Sequence, residues 1–330
     1  MGRSASSRAT RTPVLACANY GGLDLRVPVD EGQANPNEDT IMSGWDGRGL
    51  VSTDWVAAHL DDPALRIFDA TVHLRPATPG PYVVESGRAD YAAGHVPGAA
   101  FLDLARDLSD TTSPLGFTRL KGEALARALG AAGIGPGAKV VCYSTSTPMW
   151  ATRLWWILRS AGVADVAVLD GGFARWVAEG RTVETTVRTH PAASAVVAER
   201  ADAWADKDAV LAAIDDGAVC TINALSAGVH SGEAAMNYGR KGHIKGSRNV
   251  PYAALLDADG LYRSDEELRA LFEGVGAFER PRVIFYCGGG ISATMDALAL
   301  TRLGHPSVAV YDGSMSEWTK DPELPMETGA

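Results

Sequence analysis

Cys287 is the residue of this chain best placed for covalent chemistry. It ends an apolar run, Val283-Ile284-Phe285-Tyr286, and is followed by Gly288-Gly289-Gly290-Ile291-Ser292. Three consecutive glycines are costly unless the backbone must curl around something, and a curl of backbone N–H groups makes an anion-binding nest. A helix starting near Ser292 would add the positive end of its dipole. Strand, nest and helix N-terminus in that order form a cradle for a thiolate, and so for nucleophilic attack and a negatively charged covalent intermediate. The plainer alternative is a small apolar residue buried at a strand end.

The chain that must hold this cradle is 330 residues long, more than one ordinary core accommodates, so two domains are expected. With 46% hydrophobic and 21% charged residues it reads as globular, and its net charge of -10 argues against nucleic acid as an obligate partner. No apolar stretch approaches the length of a membrane span. The four cysteines, Cys17, Cys142, Cys220 and Cys287, are scattered without a C-x-x-C pair, which excludes a zinc cluster by spacing and fits free thiols in a reducing cytoplasm. Neither a metal nor an organic cofactor is implied. Residues 1–48 read as a disordered leader: Arg3, Arg8 and Arg11 lie among serines and alanines, and an acidic Gly/Pro/Asn-rich stretch follows.

Sliding the chain on itself reveals a duplication. Gly94-His95-Val96-Pro97-Gly98-Ala99 matches Gly242-His243-Ile244-Lys245-Gly246-Ser247, and Lys139-Val140-Val141-Cys142-Tyr143 matches Arg282-Val283-Ile284-Phe285-Tyr286. A third block, Val168 to Trp176, matches Val310 to Trp318 without a gap. Three blocks in one order imply a repeated unit of roughly 120 to 130 residues, the size of a domain. Within the first unit, strands are expected at Leu65–Asp69, Val140–Tyr143 and Val166–Leu169, with helices over Gly122–Leu129 and Trp150–Arg159. The second unit repeats them as strands at Val219–Asn223, Val283–Tyr286 and Val308–Tyr311, with helices over Ser264–Phe272 and Ser292–Leu303. Short apolar strands separated by helices indicate α/β domains, each a mainly parallel sheet covered on both faces. In such sheets ligands sit beyond the carboxyl ends of the strands, where Cys287 falls. The expected organisation is an N-terminal domain over 49–182, a linker over 183–205, a catalytic domain over 206–322 and a tail over 323–330.

These motifs together resemble the tandem-domain rhodanese family of sulfurtransferases, and the resemblance runs from Leu50 to Pro322. It implies two tandem rhodanese-like domains, of which only the second is catalytic and carries sulfur as a persulfide on its loop cysteine. In the first unit Ser144 stands opposite Cys287, and Thr145-Ser146-Thr147-Pro148 replaces the glycine cradle, so that domain is expected to be inactive. The resemblance implies thiosulfate or 3-mercaptopyruvate as the small-molecule sulfur donor. A thiol, cyanide or a sulfur-acceptor protein would take the sulfur. Gly288, Gly289, Gly290, Ile291 and Ser292 would stabilise the persulfide and the departing anion, with Ser292 serving as helix cap or as a hydroxyl donor.

Donor contacts are where the chain departs from the family. Thiosulfate-type members carry two cations directly after the cysteine, at the positions of Gly288 and Gly289. Mercaptopyruvate-type members carry a serine at the position of Gly289, working with an aspartate and a histidine at the positions of Asp69 and His95. Arg240 and Lys241 lie near a substrate-binding arginine of the mercaptopyruvate type, and His230 stands where the family places another arginine. Read from the residues alone, Asp69 caps a strand-to-loop turn, His95 and His243 hold their own Gly-His turns, and His230 is a surface loop histidine. Trp176 and Trp318 read as packing anchors, and Cys142 as a core residue. Two other functions share the fold. A Cys-x5-Arg phosphatase would need an arginine where Ala293 stands, and a partner platform without catalysis would not need an intact Cys287 loop.

Overall fold

Every position of Val140-Val141-Cys142-Tyr143 is buried, as is every position of Val283-Ile284-Phe285-Tyr286, so both strands are covered on both faces and must be central in parallel sheets. In the computed structural model the described residues are 45, 47–75 and 82–329. Of the expected leader, only Trp45, Gly47 and Arg48 fall within them.

The first domain contains β1 (Leu50–Val51), β2 (Leu65–Asp69), a hairpin of β3 (Val72–Arg75) and β4 (Val83–Ser86), β5 (Ala100–Phe101), β6 (Lys139–Tyr143) and β7 (Val166–Leu169). Its sheet runs β1-β7-β6-β2-β5, all parallel. The second domain contains β8 (Trp204–Ala205), β9 (Val219–Asn223), β10 (His243–Ile244), β11 (Arg248–Asn249), β12 (Arg282–Tyr286), β13 (Val308–Tyr311) and β14 (Met326–Glu327). Its sheet, β8-β13-β12-β9-β11, has the same order and direction. Register is repeated too: Asp69 lies opposite Tyr143 as Asn223 lies opposite Tyr286. The duplication seen in sequence is therefore a duplication of topology.

The helices of the first domain are α1 (Thr53–Ala58), α2 (Arg88–Ala93), α3 (Gly122–Ala131), α4 (Pro148–Ser160) and α5 (Gly172–Ala178). Those of the second are α6 (Lys207–Ala213), α7 (Ala227–Ser231), α8 (Asp265–Glu273), α9 (Ala293–Arg302) and α10 (Ser314–Trp318). Local chemistry starts several of them. Thr147 caps α4 through Met149 N, with Pro148 at the first helical position, and Ser264 and Glu267 form a reciprocal capping box on α8. Eight strands escaped the periodicity argument, β1, β3, β4, β5, β8, β10, β11 and β14, six of them only two residues long. β8 lies within the stretch expected to be linker and pairs with β13, and β14 lies in the expected tail and pairs with β10. Two-residue strands carry no alternation to read, and only their partners create them.

The domains meet through α4 and α9, the helices that follow the two loops after β6 and β12. Thr152 and Thr294 share a hydrogen bond of 2.8 Å and stand 142 residues apart, the spacing that also separates Val168 from Val310. On either side, the aspartate of each repeated Asp-Gly motif accepts a backbone N–H from the opposite domain: Tyr262 N to Asp170 Oδ1 at 3.0 Å, and Arg119 N to Asp312 Oδ2 at 3.1 Å.

One contact breaks this pseudo-symmetry. Arg153 of α4, 1% exposed, donates to Asp312 Oδ1 (2.6 Å), to Phe117 O (2.7 Å) and to Gly290 O (3.0 Å), and its guanidinium lies over the Trp204 ring at 4.9 Å. A buried guanidinium with a full set of acceptors is tolerated, but its removal strands a carboxylate and two carbonyls. Arg153→Met should therefore cost about 3–5 kcal/mol of unfolding free energy in urea titrations. A loss below about 1 kcal/mol would show that this contact does not hold the domains together.

Candidate active site

The carboxyl end of β12 delivers Cys287 at the base of a loop, 2% exposed. From there the chain passes through Gly288, Gly289 and Gly290 to α9. Gly290 has φ of 72°, and a Cβ on it would meet Asp312 O at 2.6 Å, so both the left-handed turn and the close approach require glycine. Gly288 is constrained otherwise: a side chain there would run into the Tyr238 hydroxyl. At Gly289 the nearest atoms to such a Cβ are Ser316 Oγ at 3.9 Å and Tyr82 Oη at 4.0 Å. The backbone N–H groups of Gly288 through Ser292 donate to no group among the described residues. Five unengaged donors in a glycine turn are an anion receptor. Ser292 makes no side-chain capping bond to α9.

The loop is clamped by the Asp-Gly-Ser-x-x-Glu-Trp motif. Ser314 Oγ accepts from Cys287 N (3.1 Å) and donates to Tyr311 O (2.7 Å), while Met315 N and Ser316 N donate to Cys287 O (3.1 Å) and Gly288 O (2.8 Å). Ser314 achieves this at φ of 48°, a conformation its counterpart Gly172 reaches as glycine at 56°. Strain at a non-glycine residue persists only when the surroundings over-determine it, and here the hydroxyl bond to the cysteine amide does so. Beneath, the Gly-His block seats the tyrosine before the cysteine: Tyr286 Oη accepts from Ile244 N at 3.1 Å and lies 2.6 Å from Ser247 Oγ. In the first domain Val96 N reaches Tyr143 Oη in the same way, at 3.3 Å.

Two phenols complete the cleft, and neither was found from sequence. Tyr238 stands against Gly288, and Tyr82 reaches in from the start of β4 in the other domain. Burial raises the pKa of both, and the charge of Cys287 raises each further, so both hydroxyls stay protonated and able to donate. Nothing in their spacing marks them, because a tyrosine at the end of a hairpin looks like any other. Arg153 was missed likewise, being one of several polar residues in a mostly apolar helix.

The remaining candidates are dispersed. Arg240 spends its guanidinium on Asp321 O (3.0 Å) and Leu324 O (2.9 Å), tying down the segment before β14. Lys241 is exposed. His230 corrects the expectation of a surface loop residue: it lies in α7, 5% exposed and stacked on His243 at 3.7 Å, because packing against a second imidazole buries it. Burial, aided by His243, pushes its pKa down to about 4, so it carries no charge for a carboxylate at neutral pH. Asp69 is fully buried at the end of β2 and accepts from Thr71 N at 2.9 Å, as a turn cap does. Its pKa is raised to about 6 by burial, against the Thr71 hydrogen bonds. His95 is held through Nδ1 to Tyr91 O (2.7 Å), and His243 through Nδ1 to His230 O (2.8 Å). Asp69 and His95 do not bond to each other or to the Cys287 loop. Opposite Cys287, Ser144 Oγ accepts from Ser146 N at 3.2 Å within a loop closed by hydroxyls. Cys142 is a core residue, and burial raises its thiol pKa. Trp176 and Trp318 are buried anchors, and Ala293 occupies the position where a phosphatase would need arginine.

The rhodanese-like domain family matches residues 52–179 and again residues 231–321. The chain is 35% identical over 281 residues to 3-mercaptopyruvate sulfurtransferase of Escherichia coli, covering 84% of this chain and 97% of the relative. It is 34% identical over 281 residues to thiosulfate sulfurtransferase of Cricetulus griseus, covering 82% and 92%. The crystal structure of the 3-mercaptopyruvate sulfotransferase SseA from Escherichia coli superposes with a TM-score of 0.70 at 34% identity, covering 83% of this chain and 100% of that one.

The clamp can be dissected at Ser314. Ser314→Ala keeps the left-handed strain that the wild type already carries and leaves the Cys287 amide unpaired at about 1–3 kcal/mol, whereas Ser314→Gly leaves the same amide unpaired but relieves about 1–2 kcal/mol of strain. The expected order of stability in urea is wild type, then glycine, then alanine, with alkylation of Cys287 altered in both variants. Equal stability of the two variants would mean that the positive φ stores no strain.

Proposed function

The chain belongs to the rhodanese family of sulfurtransferases, and we propose that it transfers the outer sulfur of 3-mercaptopyruvate or thiosulfate to a thiophilic acceptor through a persulfide on Cys287. The observation that carries this reading is the buried cysteine at the mouth of five unengaged backbone donors. With 3-mercaptopyruvate, the Cys287 thiolate attacks the donor sulfur and the carbon–sulfur bond breaks, its electron pair going to carbon. That carbon takes up the proton the donor thiol gives up, so pyruvate leaves and Cys-S-S⁻ remains. With thiosulfate, the sulfur–sulfur bond breaks and sulfite leaves with the electron pair. A thiolate or cyanide then attacks the outer sulfur and returns Cys287 to its starting form.

The loop donors meet the negative charge that accumulates on the sulfur pair, and they do so without reorganising. The protonated hydroxyls of Tyr238 and Tyr82 suit the donor carboxylate or the departing anion. Donor choice follows from the same geometry. Positions 288 and 289 are both glycine, so the loop offers no side-chain cation for a doubly charged sulfonate, and mercaptopyruvate should serve at least as well as thiosulfate. A reducing cytoplasm suits the free thiols Cys142, Cys220 and Cys287.

Cys287→Ser is nearly isosteric and should abolish sulfur transfer while leaving the urea midpoint unchanged. Mass spectrometry after donor exposure should find one added sulfur on the wild-type chain, at Cys287, and none on the variant. Retained activity in the variant would refute the mechanism, and a kcat/KM clearly higher for thiosulfate would reverse the donor ranking.

A further inference from the structure

The two domains also differ beside the edge strands β5 and β11, where their topology predicts sameness. In the first, the chain leaving Glu184 stays on the domain. Glu184 accepts from Gly98 N at 2.9 Å, Arg188 pairs in parallel with Ala100 of the edge strand β5, and Arg188 N donates to Tyr91 Oη at 3.0 Å. The same segment then crosses the outer end of the sheet. His190 sets its ring edge-on to Phe68 at 5.1 Å, a Cβ on Gly133 would touch His190 and Pro191 O at 2.7 Å, and Ala193 N donates to Gly130 O at 2.9 Å. An extended segment thus fills the channel between β5 and the end of α3.

Each wall of that channel recurs in the second domain. Glu327 accepts from Gly246 N at 3.0 Å, as Glu184 does from Gly98. His230 stacks on His243 at 3.7 Å, as Tyr91 stacks on His95 at 4.0 Å. Gly276 has φ of 74° beyond α8, as Gly133 has 81° beyond α3, and β11 is the edge strand as β5 is. Beyond Glu327, however, the described chain turns aside, with Gly329 N on Ser231 O at 2.9 Å. A Cβ on Gly276 would meet only Glu279. What remains is an open groove of about 1110 Å³, which shares no residue with the Cys287 loop.

Two features of the groove itself point to a ligand. His230, 5% exposed, lines it with its Nδ1 lacking any hydrogen-bond partner among the described residues, and a buried polar atom without a partner is costly. The walls carry six carboxylates against three lysines and arginines. From these observations we propose that the groove receives an extended, basic segment of a separate polypeptide, which pairs in parallel beside β11 as Arg188 pairs beside β5. Main-chain pairing at a free sheet edge supplies the register, and the excess of carboxylates selects positive charge.

The test uses the full chain and two fluorescent synthetic peptides, one with the sequence of residues 184–198 and one with lysine at the positions of Thr186, Thr189 and Ser194. The basic peptide should bind saturably at low salt, about tenfold more tightly than its parent, and weaken as salt rises. Hydrogen exchange should slow at residues 248–249 and 274–277 on binding. The double variant Glu273→Lys with Glu279→Lys, altered at exposed positions, should lose the preference for the basic peptide while sulfur transfer is unchanged. Absence of saturable binding, equal binding of the basic peptide to this variant, or protection confined to the Cys287 loop would each overturn the proposal.

Discussion

The carbonyl of Gly290 is the point on which the reactive loop depends, because an arginine from the other domain holds it. A loop built from glycines has little intrinsic reason to keep one shape, since glycine loses more backbone freedom on ordering than any other residue. Arg153 supplies the missing constraint. It is buried, holds three acceptors, and is placed so that one guanidinium joins the Gly290 carbonyl to the Asp312 carboxylate. The same aspartate accepts Arg119 N from across the interface. The second domain alone would leave both the carboxylate and the loop carbonyl without these partners.

This dependence gives the first domain a structural role in the second. Its own loop has lost the cysteine and is closed by hydroxyls, yet it contributes Arg153 beneath the reactive loop and Tyr82 above it. The two loops lead into α4 and α9, which pack on each other, and the first domain supports the second domain's loop through Arg153 of α4 and through Tyr82. The repeated aspartates preserve the older symmetry, while the Arg153 contact marks where it broke.

The groove beside β11 is another such break. Packing that is internal to the first domain becomes an open surface in the second, with edge strand, glutamate and glycine turn all retained. A free sheet edge is usually shortened or protected, and β11 is two residues long, which limits promiscuous pairing while leaving room for a specific strand.

Cys287, its glycine loop and the two parallel sheets were legible from sequence because each rests on local order. Apolar runs mark β6 and β12, positive-φ demands place the glycines, and repeated motifs align the halves. The roles of Asp69 and His95 as turn holders were also readable, since their partners lie within a few residues. His230 was misread as exposed because its burial comes from His243, thirteen residues away on another element. Tyr82, Tyr238 and Arg153 were invisible for a stronger form of the same reason. Each stands 49 or more positions from Cys287 in the chain, and what brings them to it is the packing of one domain on another or of a loop on a sheet end. A side chain's chemistry is set by its type, but its neighbours at such separation are chosen only when the whole molecule folds.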